Sequence, residues 1–157
     1  MVQDGTHMKR PSLIQIAWLL PLAFFIHLIE EYFGGLTDWF FSVLNFKMSD
    51  ESFLVINLTA LSIMLLFALA FSLGFRSKVI LTVLITVLFA NGIVHLLASI
   101  FTMTYSPGVI SGTVLYLPLG RLSYSRVLPG MSEGKKSVAI TSGILILVAV
   151  HLIARNI

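Results

Sequence analysis

Long apolar runs alternate with short polar breaks along the whole chain. A membrane-spanning helix needs about 20 mostly apolar residues, and five runs come close to this length. The predicted spans are residues 12–33, 52–75, 78–102, 107–124 and 137–157. Glycines and prolines interrupt the fourth run, which makes it the least regular. The pattern predicts an all-α integral membrane protein, a single domain built as a bundle of five transmembrane helices.

A short additional helix is predicted directly after the first span. The polar break at residues 37–51 is rich in aromatic side chains, namely Trp39, Phe40, Phe41 and Phe46. Aromatic residues of this kind suit a helix that lies in the interface between lipid and water. We therefore expect an interfacial helix between the first and second spans.

Composition narrows the class of protein further. Of the 157 residues, 57% are hydrophobic and 11% are charged, whereas about 25% are charged in a typical soluble domain. The chain has no cysteine, which excludes disulfides and thiolate metal sites. The net charge of +3 is read as loop charge and not as a nucleic-acid surface. Residues 1–7 are interpreted as the remnant of an expression tag, which leaves 8–157 as the domain.

The charges of the loops predict how the chain is oriented. Basic residues precede the first span, acidic residues outnumber basic ones at 38–51, and basic residues return at 76–78 and at 121–136. Positively charged loops stay on the cytoplasmic side of a membrane. This predicts a cytoplasmic N-terminus and an external C-terminus in a bacterial inner membrane, with Arg155 as the exception to the pattern.

Three histidines are predicted to share one layer of the bundle. With a rise of about 1.5 Å per residue, His27, His95 and His151 all fall about 21–25 Å from the cytoplasmic ends of their spans. This level lies in the outer half of a hydrocarbon core about 30 Å thick. Other polar residues are expected to support the same layer, namely Asn57, Asn91, Ser111 and Thr113.

The first span carries the most unusual group of polar residues. His27 and Glu31 are four residues apart and share one helix face, with Glu30 beside them. A charged side chain at the centre of a membrane costs about 2.5–3.5 kcal/mol, which favours a functional site. Imidazole and carboxylate groups are ligands of Zn²⁺ and Fe²⁺.

These residues predict one divalent metal ion, Zn²⁺ or Fe²⁺. The predicted ligands are His27, Glu31, His95 and His151. Glu30 is the candidate general base, and His27, Glu30 and Glu31 together are the candidate catalytic residues.

Several short blocks of sequence resemble one family of proteins. The run His27-Leu28-Ile29-Glu30-Glu31, the run Asn91–His95 and the block 105–113 (YSPGVISGT) resemble the recurrent motifs of the HXXEE family, small bacterial membrane proteins without an assigned activity. The resemblance implies a helical membrane fold and favours these residues as the site. It also adds Tyr105 to the supporting polar layer. It implies nothing about the reaction.

Structural roles would also account for these polar residues. Glu30 and Glu31 could lie hydrated at a helix end, and the histidines and Asn91 could hydrogen bond between helices. Three functions stay open beside these roles. The favoured one is a metal-dependent, hydrolase-like enzyme acting on a lipid or another apolar substrate from the outer leaflet. The others are a metal-free acid–base enzyme such as an isomerase, and a proton-coupled transporter or binding protein.

The number of spans weighs against transport. Five spans without a visible inverted repeat are few for a monomeric transporter, although the sequence leaves an oligomer open. No motif for nucleic-acid binding is present, so the expected partners are membrane lipid or an apolar small molecule.

Overall fold

The computed structural model describes residues 11–154, and this part of the chain consists of helices and their connections without a strand. The elements are α1 (Leu13–Phe33), α2 (Leu36–Leu44), α3 (Asp50–Ser72), α4 (Lys78–Thr102), α5 (Val109–Ser111), a π-helical turn (Gly112–Tyr116), α6 (Leu117–Val127) and α7 (Glu133–Ala154). The interpretation of residues 1–7 as a tag remnant, and the charges of Lys9, Arg10 and Arg155, fall outside the described residues.

Four of the described helices are long and apolar enough to cross a membrane. They are α1, α3, α4 and α7, and they agree with four predicted spans to within a few residues. The protein is therefore an all-helical membrane protein. The predicted bundle of five transmembrane helices is confirmed only in part, because the predicted span 107–124 is divided into α5, the π turn and α6.

We call residues 109–127 the broken helix. It runs antiparallel to α4 over the length of that helix. Lys78 Nζ donates to the carbonyl oxygen of Pro129 at one end of this contact, 3.0 Å away. The hydroxyl of Tyr124 donates to Thr86 Oγ1 farther along, at 2.7 Å. At the other end of α4, His95 contacts Ser106, just before the broken helix begins.

Glycines allow α4 to approach two neighbours closely. A Cβ atom on Gly92 would lie 2.8 Å from the carbonyl oxygen of Gly112, and one on Gly143 would lie 2.6 Å from Thr86 Cβ. These contacts place α4 against the broken helix on one side and against α7 on the other. Small residues at such crossings are a common packing device in membrane bundles.

The short helix predicted after the first span is present as α2. One of its aromatic residues departs from the expectation of an interfacial position. Trp39 is buried, and its indole Nε1 donates to Thr104 Oγ1 at 3.0 Å. Trp39 also joins an apolar cluster that includes Leu28 of α1 and Phe53 of α3. The helix is thus fastened to the ends of α1, α3 and α4.

The main apolar core fills the part of the bundle between the predicted polar layer and the end at Lys78. It is formed by α1, α3, α4 and the broken helix, and its fully buried members include Ile16, Phe71, Ile85 and Tyr116. Ser12 starts α1 with a capping box, in which its Oγ accepts from the backbone N–H of Gln15. This capping box satisfies backbone N–H groups at the start of α1.

Candidate functional site

Helix α1 directs His27 and Glu31 into the interior of the bundle. The two residues are one helical turn apart, and only 1% and 6% of their surfaces are exposed. His27 Nε2 lies 3.2 Å from Glu31 Oε1. An imidazole and a carboxylate therefore meet in a region that solvent does not reach.

Helix α4 brings a second imidazole to the same oxygen. His95 Nε2 lies 3.1 Å from Glu31 Oε1, and His95 is also buried. The two imidazole rings meet edge to face, with their centroids 4.9 Å apart. One ligand atom from each of the three residues lies within 4.8 Å of the others. We call His27, Glu31 and His95 the triad.

Two serines contact the Nδ1 atoms of the two imidazoles. Ser111 Oγ lies 2.7 Å from His27 Nδ1, and Ser106 Oγ lies 3.2 Å from His95 Nδ1. Asn91 Nδ2, an amide donor, lies 3.0 Å from His27 Nε2. In the tautomer that would bind a metal ion through Nε2, the proton of His27 lies on Nδ1, and the oxygen of Ser111 accepts it. In the other tautomer, Nε2–H would donate to Glu31 Oε1.

Gly108 covers the two imidazoles from the loop side. A Cβ atom at this position would lie 2.7 Å from His27 Cε1 and 2.8 Å from His95 Cε1. Its backbone φ of 98° also lies in the left-handed region that favours glycine. The loop between α4 and α5 can therefore lie directly on both rings only because residue 108 has no side chain.

Glu30 has a different set of partners from Glu31. Its Oε1 accepts from the hydroxyl of Tyr105 at 2.7 Å and from the backbone N–H groups of Gly108 and Ile110 at 3.1 and 3.0 Å. Its Oε2 accepts from the N–H of Ser111 at 2.6 Å. These four donors hold the carboxylate on the start of the broken helix. The contacts give Glu30 a positioning role, and its role as a general base stays a prediction.

The Tyr105 side chain responds to the Glu30 carboxylate. Its partial burial and its hydrogen bond to this negative charge raise the pKa of Tyr105 to about 12. The phenol therefore stays protonated at neutral pH and remains a hydrogen-bond donor to Glu30. In this way Tyr105, in the loop that precedes the broken helix, is tied to α1.

The π turn brings two side chains onto His27. The ring of Tyr116 lies against the imidazole with a centroid distance of 4.4 Å, while Ser111 bonds to Nδ1. Residues five apart in a regular α-helix point in directions that differ by about 140°. A π turn, with its i→i+5 hydrogen bonds, reduces this difference. Tyr116 is 1% exposed, and its hydroxyl has no partner among the described residues.

Several predicted members of the polar layer lie away from the triad. The structure does not bring His151 to it, since this side chain is exposed and its Nδ1 is 2.8 Å from the carbonyl oxygen of Leu147. Asn57 donates to the carbonyl oxygen of Phe53 in its own helix, and Thr113 is exposed. The residue count predicted the depth of these side chains in the bundle. It could not predict which side of its helix each one faces.

Sequence reasoning missed three residues that touch the imidazoles. They are Ser106, Gly108 and Tyr116. The first two belong to the run Tyr105–Gly108, which the residues indicate as a turn and which the family resemblance includes only as part of the block 105–113, without a role for either residue. The small residues of this run were an available signal. A loop of serine and glycine allows its backbone to lie close to buried polar groups. Tyr116 carried no such signal, because its position depends on the π turn.

The donor set of the triad fits a divalent metal ion. Zn²⁺ binds nitrogen and oxygen ligands at about 2.0–2.2 Å, so neighbouring ligand atoms stand about 3–4 Å apart. The two distances to Glu31 Oε1, 3.2 and 3.1 Å, agree with this spacing. Two histidines and one glutamate are a known ligand set of catalytic zinc, with a further position open. A metal-binding histidine also typically donates its other ring N–H to an acceptor, as the serine contacts allow here.

Comparison with known proteins gives one match. A family model described as a protein of unknown function with HXXEE motif matches residues 18–122. The matched range contains the triad, Glu30 and the whole loop that contacts them. No curated protein and no solved structure matches the chain.

Proposed function

The chain belongs to the HXXEE family, and we propose that its triad of His27, Glu31 and His95 binds one divalent metal ion, Zn²⁺ or Fe²⁺, in a membrane-embedded enzyme of the hydrolase type. One observation carries the proposal. Two buried imidazoles direct Nε2 at the same carboxylate oxygen, while a serine fixes Nδ1 of each ring. A group of this kind is costly to bury in a membrane unless it serves a site.

The chemistry expected at such a site is the activation of water. A bound Zn²⁺ ion lowers the pKa of its water to about 7 and so supplies a nucleophile at neutral pH. The chain's own residues would position the reactants. Ser111 and Ser106 orient the imidazoles, and Asn91 lies beside His27 as an amide donor. Gly108 lies directly against both imidazole rings.

The position of the triad favours an apolar substrate. We propose that the broken helix is the fifth crossing of the membrane, since it runs beside α4 from the loop over the triad to Pro129. Arg76, Lys78 and Lys135 lie near the end of the bundle that is remote from the triad. By the positive-inside rule that end is cytoplasmic. The triad then lies in the outer half of an inner membrane, where a lipid or another apolar molecule would reach it.

Metal analysis of the purified protein tests the proposal. We expect about one equivalent of Zn or Fe per chain, measured by inductively coupled plasma mass spectrometry after dialysis. The variants His27→Ala, Glu31→Ala and His95→Ala should each lose most of this metal. His151→Ala is the matched control, because it removes an exposed histidine outside the triad, and it should keep the metal.

The result can also contradict the proposal. Wild-type protein without stoichiometric metal, or triad variants that retain the wild-type amount while still folded, would rule out a metal centre. The buried imidazole and carboxylate groups would then favour the metal-free acid–base enzyme, in which these groups exchange protons with the substrate.

A further inference from the structure

A groove on the outside of the bundle follows the line where α4 meets the broken helix. Its volume is about 590 Å³, which is within the usual range for ligand pockets. No member of the triad lines it. The groove is lined by Phe89, Ile93, Leu117, Pro118, Arg121 and Tyr124. Five of these side chains are apolar or aromatic, and the sixth carries a positive charge.

Phe89 and Tyr124 close the groove toward the interior of the bundle. The ring of Phe89 fills the space beside Gly120, where a Cβ atom would overlap with it. Its ring meets that of Tyr124 at 76°, with centroids 5.7 Å apart. The hydroxyl of Tyr124 donates to Thr86. The groove therefore opens outward, to the surroundings of the bundle.

Arg121 lies beside the middle part of α4, a helix long and apolar enough to cross a membrane. Its neighbours on the broken helix contact Thr86 and Phe89, which are about 12–17 Å along α4 from Lys78. The 25 residues of α4 extend over about 37 Å, beyond a hydrocarbon core about 30 Å thick. The backbone of Arg121 thus lies about 8–13 Å below the nearer edge of this core.

The chain offers Arg121 no counter-ion. An arginine keeps its charge at physiological pH, and the Arg121 side chain is exposed and makes no ion pair with another residue of 11–154. The described basic residues at this end of the bundle are Arg76, Lys78, Arg121, Arg126, Lys135 and Lys136. The acidic residue at this end, Glu133, already lies 2.6 Å from Lys136 Nζ.

The remaining acidic side chains of the described chain lie toward the other end. They are Glu30, Glu31, Asp38, Asp50 and Glu51. A positive charge inside a membrane is costly and normally pairs with an opposite charge or reaches the headgroups. The counter-ion of Arg121 must therefore come from outside the chain.

The polarity of the groove matches that of a phospholipid. Arg121 and Tyr124 are at the end nearer to Lys78, while Leu117 and Ile93 are farther from it. An arginine side chain extends along apolar surface toward the headgroups, where its guanidinium suits a phosphate as a bidentate partner. The acyl chains of a lipid in that leaflet lie below its phosphate, at the level of the apolar part of the groove.

We propose that this groove binds one anionic phospholipid from the leaflet on the Lys78 side, with its phosphate on Arg121 and one acyl chain along Phe89, Leu117 and Ile93. A zwitterionic lipid brings its own ammonium group, which competes for the phosphate and is repelled by the basic end of the bundle. Net negative charge is therefore favoured. The proposal does not depend on a metal ion or a reaction at the triad.

Native mass spectrometry of the purified protein in mild detergent tests this selectivity. The protein is titrated with phosphatidylglycerol, which is anionic, or with phosphatidylcholine of the same acyl chains. We expect the first phosphatidylglycerol to bind at least about five-fold more tightly than the first phosphatidylcholine. Equal affinities would overturn the proposal. A dimer that excludes the lipid would also overturn it, because a second copy of the chain would then cover the groove.

Substitution of Arg121 tests the headgroup contact. Arg121→Gln should weaken phosphatidylglycerol about five-fold or more, and Arg121→Lys, which keeps the charge, should retain most of the affinity. The matched control is Arg76→Gln, which removes an exposed arginine of the loop between α3 and α4. Water and salt screen that charge, so the change should be less than about two-fold. Equal losses in the two glutamine variants would indicate diffuse attraction and contradict a site at Arg121.

A larger side chain in the groove tests the acyl contact. Ile93→Trp fills the apolar end and leaves Arg121 in place, so phosphatidylglycerol should bind several-fold more weakly. Ile80→Trp is the control, because Ile80 lies on the same helix outside the groove and has nearly the same exposure, 38% against 37%. An unchanged affinity in folded Ile93→Trp protein would show that the lipid does not use the groove.

Metal content separates this inference from the proposed function. The variants at Arg121 and Ile93 leave the triad intact, so each should contain as much metal as the wild type. Selective binding of phosphatidylglycerol by a protein without metal would support the lipid site and refute the metal centre. Full metal content without lipid selectivity would do the reverse.

Discussion

Glu30 and Glu31 are adjacent in the sequence and have separate partners in the structure. Residues three and four positions after His27 both lie near its helix face, but successive residues point about 100° apart, so the two carboxylates lie on opposite sides of the His27 direction. Glu31 contacts both imidazoles, while Glu30 turns to the loop at Tyr105 and Gly108. The motif thus combines two members of the triad with an anchor for the segment that covers them.

Removing the Ser111 hydroxyl should weaken metal binding without removing a ligand. Ser111→Ala deletes the acceptor for His27 Nδ1–H and keeps the backbone N–H that donates to Glu30. Loss of a hydrogen bond to the second ring nitrogen of a metal-binding histidine typically lowers metal affinity about 10–100-fold. Competition with a chelator of known affinity measures this change.

Ser125→Ala is the control for this substitution. Ser125 is an exposed serine of α6 whose hydroxyl donates to the carbonyl oxygen of Leu122, and its loss should not change the affinity. If Ser111→Ala binds metal as tightly as the wild type, the serine does not orient His27.

Sequence reasoning named all three members of the triad, each for a physical reason. The spacing of His27 and Glu31 identifies one helix face, and the depth of His95 places it at the same level. The third histidine, His151, has a similar predicted depth and faces outward. Depth follows from a count of residues, whereas the direction of a side chain depends on how helices pack. Only the structure supplies that packing.

At the scale of elements, the broken helix departs most from the sequence prediction. The pattern of apolar residues indicates a helix over 107–124, and most of that range is helical. The π turn at Gly112–Tyr116 could not be predicted, because it follows from a tertiary contact. Gly112 lies against Gly92 of α4, and the extra residue in the turn lets both Ser111 and Tyr116 reach His27.

Filling the crossing of α4 and the broken helix should destabilise the bundle. A Cβ atom in Gly92→Ala would lie 2.8 Å from the backbone oxygen of Gly112 and 3.1 Å from Tyr116 Cβ. Backbone must move to relieve this contact, so we expect a loss of about 1–3 kcal/mol in the free energy of unfolding. The shift of the denaturation midpoint in mild detergent measures it.

Gly134→Ala provides the matched control for this element. No atom lies within 4 Å of the Cβ position at Gly134, which is in the first turn of α7. Alanine there should leave stability unchanged or raise it slightly, because alanine favours helices more than glycine. If both variants unfold at the wild-type midpoint, the close approach of Gly92 and Gly112 does not limit the packing of the bundle.

At the scale of the whole molecule, the polar layer lies between two apolar clusters. The main core fills the part of the bundle toward Lys78, and the second cluster around Trp39 lies toward the other end. The triad and its serines are enclosed between the two. Because Glu30 fastens the loop to α1 and Gly108 lies on both rings, the triad and the covering segment form one unit of structure.

The sidedness of the molecule can be tested with single cysteines, since the chain has none of its own. Lys47 and Lys135 are both exposed lysines, one between α2 and α3 and the other in the first turn of α7. If the broken helix crosses the membrane, Lys47→Cys should react from outside intact cells with a maleimide that cannot cross the inner membrane. Lys135→Cys should react only after the membrane is opened.

Each of the other labelling patterns would indicate a different topology. Without a crossing by the broken helix, the start of α7 would lie on the same side as the loop at Lys47, and both cysteines would react from outside. Reaction of Lys135→Cys alone would instead keep five crossings and reverse the orientation predicted from the basic loops. The triad would then lie in the inner half of the membrane, and its apolar substrate would come from the cytoplasmic leaflet.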